Sequence, residues 1–364
     1  MNIAELDTPA LLIDLDIMER NLGKMADYVR AHQFRLRPHT KTHKIPALAE
    51  RQIALGATGL TVAKVGEAEV MMKAAPQDLL VAYPVMGKQK LGRLMTIAAT
   101  TRVTVSLDSL TAATELSAAA EASGRTIGVL VEIDVGLGRV GVQPGPELLD
   151  LVQSVASLPG LKFEGIAFYP GHIKVLDEAA DAALAVLSTL LDHVVLYLAD
   201  SGFPAKIVSG GSTPTLYRSH QVNWLNEIRP GTYIFNDRNT VLCGAAAYDE
   251  CAATILATVV STAVKGQMII DGGSKTFSSD RQMGLEEVSF GRLLDAPEAV
   301  FGKMNEEHGF VDIRKVSKSF KVGDRVRVLP NHVCVAMNLH EQVYGYRGET
   351  VEQIWRVEGR GKLQ

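Results

Sequence analysis

The sequence predicts an α/β protein in which a TIM-type (β/α)8 barrel is followed by a β-rich domain. Eight short runs of aliphatic and β-branched residues alternate with helical patterns through the first two thirds of the chain, and eight is the strand count of a closed barrel. After about residue 240, strand-like runs follow one another without helices between them. The length of 364 residues exceeds that of one ordinary domain.

The alternating region contains the predicted strands and helices of the barrel. The predicted strands lie at residues 35–38, 59–62, 79–82, 102–106, 127–134, 162–168, 206–209 and 226–229. The predicted helices lie at residues 45–55, 64–74, 109–122, 146–157 and 176–200. A doubly wound open sheet is the alternative, because periodicity alone does not show that a sheet closes.

The second domain is predicted from its strand-like runs at residues 252–264, 267–271, 324–329 and 351–358. Residues 272–320 are long, irregular and rich in Gly, Ser and charge, which is typical of binding loops. We place the barrel at residues 9–240 and assign residues 1–8 and 241–364 to the β-rich domain.

Charge balance, apolar runs and cysteine count indicate the partners and the compartment of the protein. The 37 Lys and Arg residues nearly balance the 41 Asp and Glu residues, which argues against nucleic acid or an anionic membrane as a partner. No stretch approaches the roughly 18 uninterrupted apolar residues of a membrane span. Three cysteines are too few for a disulfide framework and suit a reducing compartment. We expect a soluble cytoplasmic protein.

The octapeptide RPHTKTHK at residues 37–44 concentrates positive charge at the end of the first predicted barrel strand. Barrel enzymes place their chemistry at this face. Like charge from Arg37, Lys44 and protonated His39 or His43 would disfavour the ammonium form of Lys41. A neutral amine is what Schiff-base chemistry requires, so Lys41 is the candidate catalytic residue. A solvated basic loop is the alternative.

The run SGGSTPT follows the seventh predicted strand, where barrels commonly bind phosphate. Glycines let the backbone turn its N–H groups toward an anion, and the hydroxyls add donors. Tyr233, in the run EIRPGTY, would supply a further contact. A plain strand-to-helix turn is the alternative for this run.

Two further turns carry candidate side chains. Arg139 ends the run EIDVGLGR after the fifth strand and would reach a phenolate or carboxylate at the barrel mouth. Tyr169 begins the run YPGH after the sixth strand and would pack on a flat cofactor. Either turn, taken alone, is more often structural.

The run PNHVC places His332 and Cys334 two residues apart. On an extended strand these side chains would share a face and form a pair suited to Zn²⁺ or another borderline metal. Water and substrate would complete the coordination, as in a catalytic site. A buried cysteine beside a hydrogen-bonded histidine is the alternative, and His308 and His340 lie nearby in sequence.

These motifs, in this order, resemble the D-threonine aldolase and D-serine dehydratase family. The likeness covers nearly the whole chain, through DTPALLIDL, RPHTKTHK, GEAE, EIDVGLGR, SGGSTPT, EIRPGTYIF, IIDGGSK, NEEHG, PNHVC and WRVEGRG. The resemblance implies the alanine-racemase-like fold, which is fold type III of the pyridoxal-phosphate (PLP) enzymes. RPHxK and PNHxC are its most specific elements, and the glycine turns are generic.

The resemblance also implies residue roles. Lys41 would bind PLP as a Schiff base, with Arg139 and Tyr169 flanking the cofactor ring. The phosphate would face Gly210, Gly211, Ser212 and Thr213. Further cofactor contacts would come from His39, Ser209, Arg229, Gly231 and Tyr233. His332, also a candidate catalytic residue, would bind Zn or Mn with Cys334 beside the β-hydroxyl of the substrate. The family further implies a homodimer.

Four activities are open at this point. The first is metal-dependent cleavage of 3-hydroxy-D-amino acids to glycine and an aldehyde, as in D-threonine aldolase. The second is dehydration of D-serine or a 3-hydroxy-D-amino acid to a 2-oxo acid and ammonia. In this family a His and Cys pair looks typical of zinc-dependent dehydratases, whereas MNLHEQV and WRVEGRG look like the aldolase branch. Amino-acid racemisation and non-catalytic PLP binding are the remaining alternatives.

Overall fold

The structure is a computed structural model that describes residues 1–281 and 289–364, and its chain divides into two compact units. The barrel unit comprises Met25–Gly231 and Gly361–Gln364. The second unit comprises Met1–Lys24 and Thr232–Arg360. The barrel unit is therefore shorter at both ends than residues 9–240.

The chain begins with an element pair that the periodicity analysis did not identify. Strand β1 (Ala10–Asp14) leads directly into helix α1 (Leu15–Ala31). Residues 11–13 are fully buried, because β1 lies inside the sheet of the second unit rather than at its edge. A strand with neighbours on both sides and both faces covered reads as a continuous apolar run, as in ALLID.

The barrel unit contains eight strands in one parallel sheet. They are β2 (Arg35–Leu36), β3 (Leu60–Val62), β4 (Asp78–Val81), β5 (Arg102–Leu107), β6 (Ile127–Glu132), β7 (Leu161–Ala167), β8 (Ile207–Gly210) and β9 (Glu227–Ile228). Their order is β2-β9-β8-β7-β6-β5-β4-β3. A parallel bridge between His39 and Thr61 joins the two ends of this order. The barrel prediction is confirmed over the open sheet.

Helices connect successive barrel strands. They are α2 (Pro46–Ala54), α3 (Val65–Met71), α4 (Lys88–Ile97), α5 (Leu110–Ala122), α6 (Pro146–Ser157) and α7 (Glu178–Asp200). All but α4 correspond to a predicted helix. Leu91, Leu94 and Met95 form the buried face of α4, and this face covers only about two turns, too short for a strong periodic pattern.

Helix α7 has 23 residues and is long and apolar enough to cross a membrane by length and composition alone. In the structure it connects β7 to β8 as a crossover helix. Leu184, Leu187 and Leu191 are buried at helical spacing, which is the pattern of a helix that packs through one face. Asp181 and Asp192 interrupt its apolar run, and this is why the sequence shows no uninterrupted span.

The second unit is built on a mixed sheet. Its elements after β1 are α8 (Arg238–Leu242), β10 (Ala253–Ser261), β11 (Gln267–Ile270), α9 (Ser274–Phe277), β12 (Gly291–Leu293), β13 (Val300–Met304), β14 (Gly309–Asp312), β15 (Arg325–Pro330), α10 (Val333–Leu339), β16 (Gln342–Arg347) and β17 (Thr350–Arg356). The main path is β13-β14-β11-β10-β1-β16-β17, and β15 pairs with β10 and β12.

The four predicted strands of this domain are observed as β10, β11, β15 and β17. The prediction that residues 272–320 are irregular is wrong over much of that range, because α9, β12, β13 and β14 lie within it. These elements are only three to five residues long and therefore leave little periodic pattern. Part of the predicted loop, residues 282–288, lies outside the described residues.

Candidate active site

Lys41 lies in a short 3-10 turn, Thr40–Thr42, just beyond the carboxyl end of β2, and its side chain is exposed. The Nδ1 atom of His39 accepts the backbone N–H of Lys41 at 3.4 Å and caps this turn. The backbone N–H of His39 donates to the carbonyl of Pro230 at 2.9 Å, which holds the turn beside the end of β9. The predicted position of Lys41 at the barrel mouth is therefore observed.

The other cations of the octapeptide have buried counterions. Arg37 is fully buried, and its guanidinium lies 3.2 Å from a carboxylate oxygen of Asp78 and 3.1 Å from one of Glu227. Lys44 is also buried and lies 3.1 Å from a carboxylate oxygen of Glu67. A buried charge is stable only when it is paired with an opposite charge. Arg37 and Lys44 each have such a partner.

The two histidines of the octapeptide are neutral at neutral pH. Burial lowers the pKa of His43 to about 4, and its Nδ1 accepts the backbone N–H of Ile45 at 3.0 Å. Burial also lowers the pKa of His39 well below 6.5, with further contributions from the charges on Lys41 and Arg229. The interpretation that Arg37, Lys44 and the histidines crowd Lys41 with positive charge is therefore wrong.

The predicted phosphate loop presents unused backbone donors. Gly210 ends β8, and Gly211 follows with φ +92°, a backbone conformation that favours glycine. In the described part of the chain, the N–H groups of Gly211, Ser212 and Thr213 have no hydrogen-bond acceptor. A Cβ atom on Gly211 would lie 3.6 Å from Oγ of Ser219 and 3.8 Å from Ile228, which is ordinary van der Waals contact. Three successive backbone donors that follow a strand in this way suit an anion.

Gly231 contacts the turn that carries Lys41, and Arg229 contacts the ends of β7 and β8. A Cβ atom on Gly231 would lie 2.5 Å from Oγ1 of Thr42 and 2.9 Å from the carbonyl oxygen of His39, so only glycine permits this approach to the Lys41 turn. Arg229 donates to the carbonyl of Phe168 at 3.2 Å and also to the hydroxyl of Ser209, which is buried. These bonds hold the arginine beside the carboxyl ends of β7 and β8.

Arg139 and Tyr169 are also brought together. The guanidinium carbon of Arg139 lies 4.7 Å from the centroid of the Tyr169 ring. The loop that carries Arg139 is organised by Asp134, whose Oδ1 accepts the N–H groups of Gly136, Leu137 and Gly138 at 3.0 Å each. These hydrogen bonds lower the pKa of the Asp134 carboxyl. Arg139 and Tyr169 thus follow two adjacent strands, β6 and β7, and contact each other beyond the strand ends.

Three predicted residues lie in the second unit. Tyr233 is buried in a 3-10 turn, Thr232–Ile234, just beyond the barrel unit. His332 and Cys334 do not share a strand face. Strand β15 ends at Pro330, His332 caps helix α10, and Cys334 lies in the first turn of that helix. That part of the prediction is wrong, because the chain turns into a helix directly after Asn331.

The pair is nevertheless in contact. The His332 ring hydrogen-bonds with the Cys334 thiol, and its Nδ1 atom lies 3.2 Å from Oδ2 of Asp237. Burial alone would lower the pKa of His332, but the Cys334 thiolate and the Asp237 carboxylate raise it to about 11. His340 contacts the carbonyl of Thr276 at 3.2 Å instead, and His308 is exposed.

The residues present fit both groups that the resemblance implies. In the barrel unit, an exposed lysine amine and the free backbone donors of the β8 loop suit an aldehyde that carries a phosphate. In the second unit, imidazole and thiolate are ligands that zinc prefers. No cluster of three or more His, Cys, Asp or Glu side chains suited to a metal is found among residues 1–281 and 289–364, so water and substrate would complete the shell.

Sequence reasoning missed the carboxylates that hold these groups in place. Asp237 supports His332, Glu227 pairs with Arg37, and Glu67 pairs with Lys44. The run DRNT, which starts at Asp237, carries the helix-capping pattern D-x-x-T and could have identified a helix start. It could not have identified His332 as the partner, which lies 95 residues away.

Two sequence families account for most of the chain. Residues 13–239 match the family described as alanine racemase, N-terminal domain, and residues 252–346 match the family described as putative serine dehydratase domain. The first match covers more than half of the chain. The order of the two matches follows the order of the barrel and the β-rich elements.

Full-length relatives have both lyase activities. The chain is 34% identical over 377 residues to the 3-hydroxy-D-aspartate aldolase of Paracoccus denitrificans (strain Pd 1222), covering 100% of this chain and 94% of that one. It is 32% identical over 347 residues to the D-threo-3-hydroxyaspartate dehydratase of Delftia sp. (strain HT23), covering 90% and 91%.

Solved structures agree with these matches. The D-threonine aldolase from Filomicrobium marinum superposes with a TM-score of 0.92 at 34% identity, covering 99% of this chain and 98% of that one. A cysteine-to-alanine variant of D-threo-3-hydroxyaspartate dehydratase in a metal-free form superposes with a TM-score of 0.88 at 30% identity, covering 98% of each chain. The chain therefore belongs to the D-threonine aldolase and D-serine dehydratase family, with the alanine-racemase-like fold.

Proposed function

We propose that this protein is a PLP- and divalent-metal-dependent lyase that cleaves 3-hydroxy-D-amino acids. The observation that carries the proposal is the carboxyl end of the parallel sheet, where an exposed lysine, Lys41, follows β2 and the Gly211–Thr213 loop, with its unused backbone donors, follows β8 two strands away. The full-length relatives at 32–34% identity that act on 3-hydroxy-D-aspartate support the same substrate class.

The chain's own residues have distinct tasks in this proposal. Lys41 would anchor the cofactor through its amine, and the N–H groups of Gly211, Ser212 and Thr213 would bind the phosphate. Arg229, held by Phe168 and Ser209, would contribute positive charge near the bound cofactor. When bound, PLP supplies an electron sink for a bond broken at Cα.

The first candidate reaction is retro-aldol cleavage. The bond that breaks is Cα–Cβ, and the β-hydroxyl loses its proton as the aldehyde forms. Cα then gains a proton, and the products are glycine and the aldehyde. The aldolase relative at 34% identity favours this assignment.

The second candidate is β-elimination, in which the α-proton leaves first and the β-hydroxyl leaves as water. Hydrolysis of the released enamine then gives a 2-oxo acid and ammonia. Lys41 Nζ would then be the base that takes the α-proton. The thiol at position 334 favours this candidate, as does the dehydratase relative at 32% identity.

The metal belongs to the same proposal. His332 and Cys334 would hold a divalent ion, which supplies Lewis acidity to a substrate oxygen in sites of this kind. Thiolate favours a borderline ion such as Zn²⁺ over Mg²⁺, and Mn²⁺ is the harder alternative. The metal-free form of the dehydratase variant that lacks a cysteine supports a cysteine ligand in a relative.

Product analysis tests the activity. The PLP-loaded protein would be incubated with D-threonine, D-serine and 3-hydroxy-D-aspartate, and the products separated by chromatography. Glycine with an aldehyde indicates the aldolase, 2-oxo acid with ammonia the dehydratase, and the L-enantiomer a racemase. Absence of any product from all three substrates would contradict the proposed substrate class.

A chelator tests the metal separately. We expect chelation to remove lyase activity while the visible absorption of PLP persists, because Lys41 does not depend on the metal for its position. A divalent transition metal should restore activity. Full lyase activity in a preparation shown to be metal-free by elemental analysis would contradict the metal requirement.

We also propose that the protein works as a cytoplasmic homodimer. None of the three cysteines forms a disulfide, and Cys243 and Cys251 are buried, which suits a reducing compartment. Light scattering coupled to size-exclusion chromatography would measure the mass, and 39.3 kDa for the particle in solution would contradict the dimer.

A further inference from the structure

The carboxylate of Asp237 contacts the start of helix α10 at two points. Its Oδ2 atom accepts the backbone N–H of Val333 at 3.0 Å, and it lies 3.2 Å from Nδ1 of His332. The side chain of Asp237 is only 2% exposed. One buried oxygen thus binds both the first residue of the helix and the imidazole that precedes it.

The other oxygen of Asp237 is held equally firmly. Oδ1 accepts the backbone N–H of Thr240 at 2.8 Å and also the Thr240 hydroxyl. The Thr240 hydroxyl in turn accepts the backbone N–H of Asp237 at 2.7 Å, which completes a capping box at the start of α8. Since both oxygens are engaged, the carboxylate has little freedom to rotate away from His332.

This contact determines which nitrogen of His332 is free. Oδ2 already accepts the Val333 N–H, and a carboxylate oxygen only accepts hydrogen bonds, so its contact with His332 is a hydrogen bond when Nδ1 carries a proton. When the ring gives up its other proton to bind a metal, the lone pair is then on Nε2. Metal-binding histidines usually donate their other ring nitrogen to a carboxylate in this way, which fixes the tautomer and the ring orientation.

We propose that Asp237 is a positioning residue of the metal site, which orients His332 so that Nε2 is presented to the ion. The inference rests on the metal in the proposed function. It adds to that function Asp237, the residue that caps helix α8, whose carboxylate does not itself bind the metal.

Zinc affinity of the full-length, PLP-loaded protein tests the inference. Metal-stripped wild type and Asp237→Asn would be titrated with zinc against a chromophoric chelator, and folding would be checked by circular dichroism. Loss of such a partner typically weakens metal binding by about 10- to 100-fold, and we expect a change in this range for Asp237→Asn.

A control variant separates positioning from general stability. Asp271→Asn removes another carboxylate of the second unit, which accepts the Thr258 N–H at 2.7 Å and the Thr8 hydroxyl. It should lower stability and leave zinc affinity unchanged. Equal zinc affinity in wild type and folded Asp237→Asn would overturn the positioning role.

A measurement on the wild type covers the case in which Asp237→Asn does not fold. Long-range ¹H–¹⁵N spectra of the zinc-loaded protein report which ring nitrogen of His332 carries hydrogen and which binds metal. We expect a protonated Nδ1 and a metal-bound Nε2; a metal on Nδ1 would overturn the inference. Failure of the wild type to bind zinc would be a separate result, because it would refute the proposed metal itself and the inference with it.

Discussion

The hydroxyl of Ser209 donates to the carboxylate of Glu227 at 2.6 Å in the interior of the barrel, where both side chains are fully buried. Arg229 donates to the same hydroxyl, and the second carboxylate oxygen of Glu227 lies 3.1 Å from the Arg37 guanidinium. Glu227 therefore connects the first strand of the barrel to the arginine beside the proposed phosphate loop.

Replacing Glu227 by Gln should destabilise the protein strongly. Gln still accepts the Ser209 hydroxyl, but Arg37 loses one of its two buried counterions. Breaking a buried ion pair from one side typically costs about 3–5 kcal/mol of unfolding free energy. Urea unfolding monitored by circular dichroism would measure the change.

Glu69→Gln is the matched control, since Glu69 pairs with Arg93 at 2.7 Å on the exposed face of the barrel unit. An exposed pair contributes about 0–1 kcal/mol, so this variant should be nearly neutral. Equal losses in the two variants would contradict the structural role assigned to Glu227.

Lys41→Ala should abolish the visible absorption at roughly 410–430 nm that a lysine-bound PLP gives. The amine of Lys41 is exposed at the barrel mouth, whereas Lys44 is buried against Glu67. Lys64→Ala is the control, because Lys64 follows β3 and its ammonium lies 3.5 Å from the centroid of the Tyr83 ring. An undiminished band in Lys41→Ala that borohydride still reduces would exclude Lys41 as the anchor and make Lys44 the next candidate.

Gly211→Ala should weaken PLP binding much more than it weakens folding. The new methyl group would contact Ser219 and Ile228, and alanine is strained at φ +92°, so the N–H groups of Gly211, Ser212 and Thr213 should shift. Gly56→Ala is a matched control, since Gly56 also has a positive φ, +101°, and a methyl group there would meet no atom within 4 Å. Both variants place alanine at a positive φ and carry similar backbone strain. A lower PLP affinity of Gly211→Ala than of Gly56→Ala, measured by fluorescence titration, would therefore come from the place of residue 211 in the loop. Similar affinities would indicate a purely structural turn.

His43 should make the protein sensitive to mild acid. Its pKa in the folded state is about 4 because the ring is buried, whereas an unfolded histidine titrates near 6.5. The unfolded state therefore binds the proton first as the pH falls. The stability that His43 contributes is fully present above pH ~6.5 and is lost progressively toward pH ~4, up to roughly 3 kcal/mol.

His43→Asn tests this origin of acid sensitivity. The Asn side-chain oxygen can replace Nδ1 as acceptor for the Ile45 N–H, but it does not titrate. The variant should lose less stability than wild type between pH 6.5 and 4, as measured by urea unfolding at a series of pH values. Parallel curves for the two proteins would show that His43 is not responsible.

Local patterns determined most of the fold. The eight barrel strands and five of the crossover helices appear where periodicity and turn residues predict them, because each pattern spans a single element. Strand β1 and the short strands between residues 291 and 312 could not be predicted in this way. Their identity depends on the neighbours with which they pair, since β1 lies between β10 and β16, which are distant in sequence.

The sequence by itself also determined the chemical character of the candidate site, because RPHTKTHK, SGGSTPT and PNHVC carry the amine, the backbone donors and the metal ligands. Only the tertiary structure decided the electrostatics. The octapeptide is rich in positive charge as a sequence, yet Arg37 and Lys44 are neutralised by Glu227 and Glu67 in the fold. A buried charge must find its counterion wherever folding places one, and no local pattern encodes that partner.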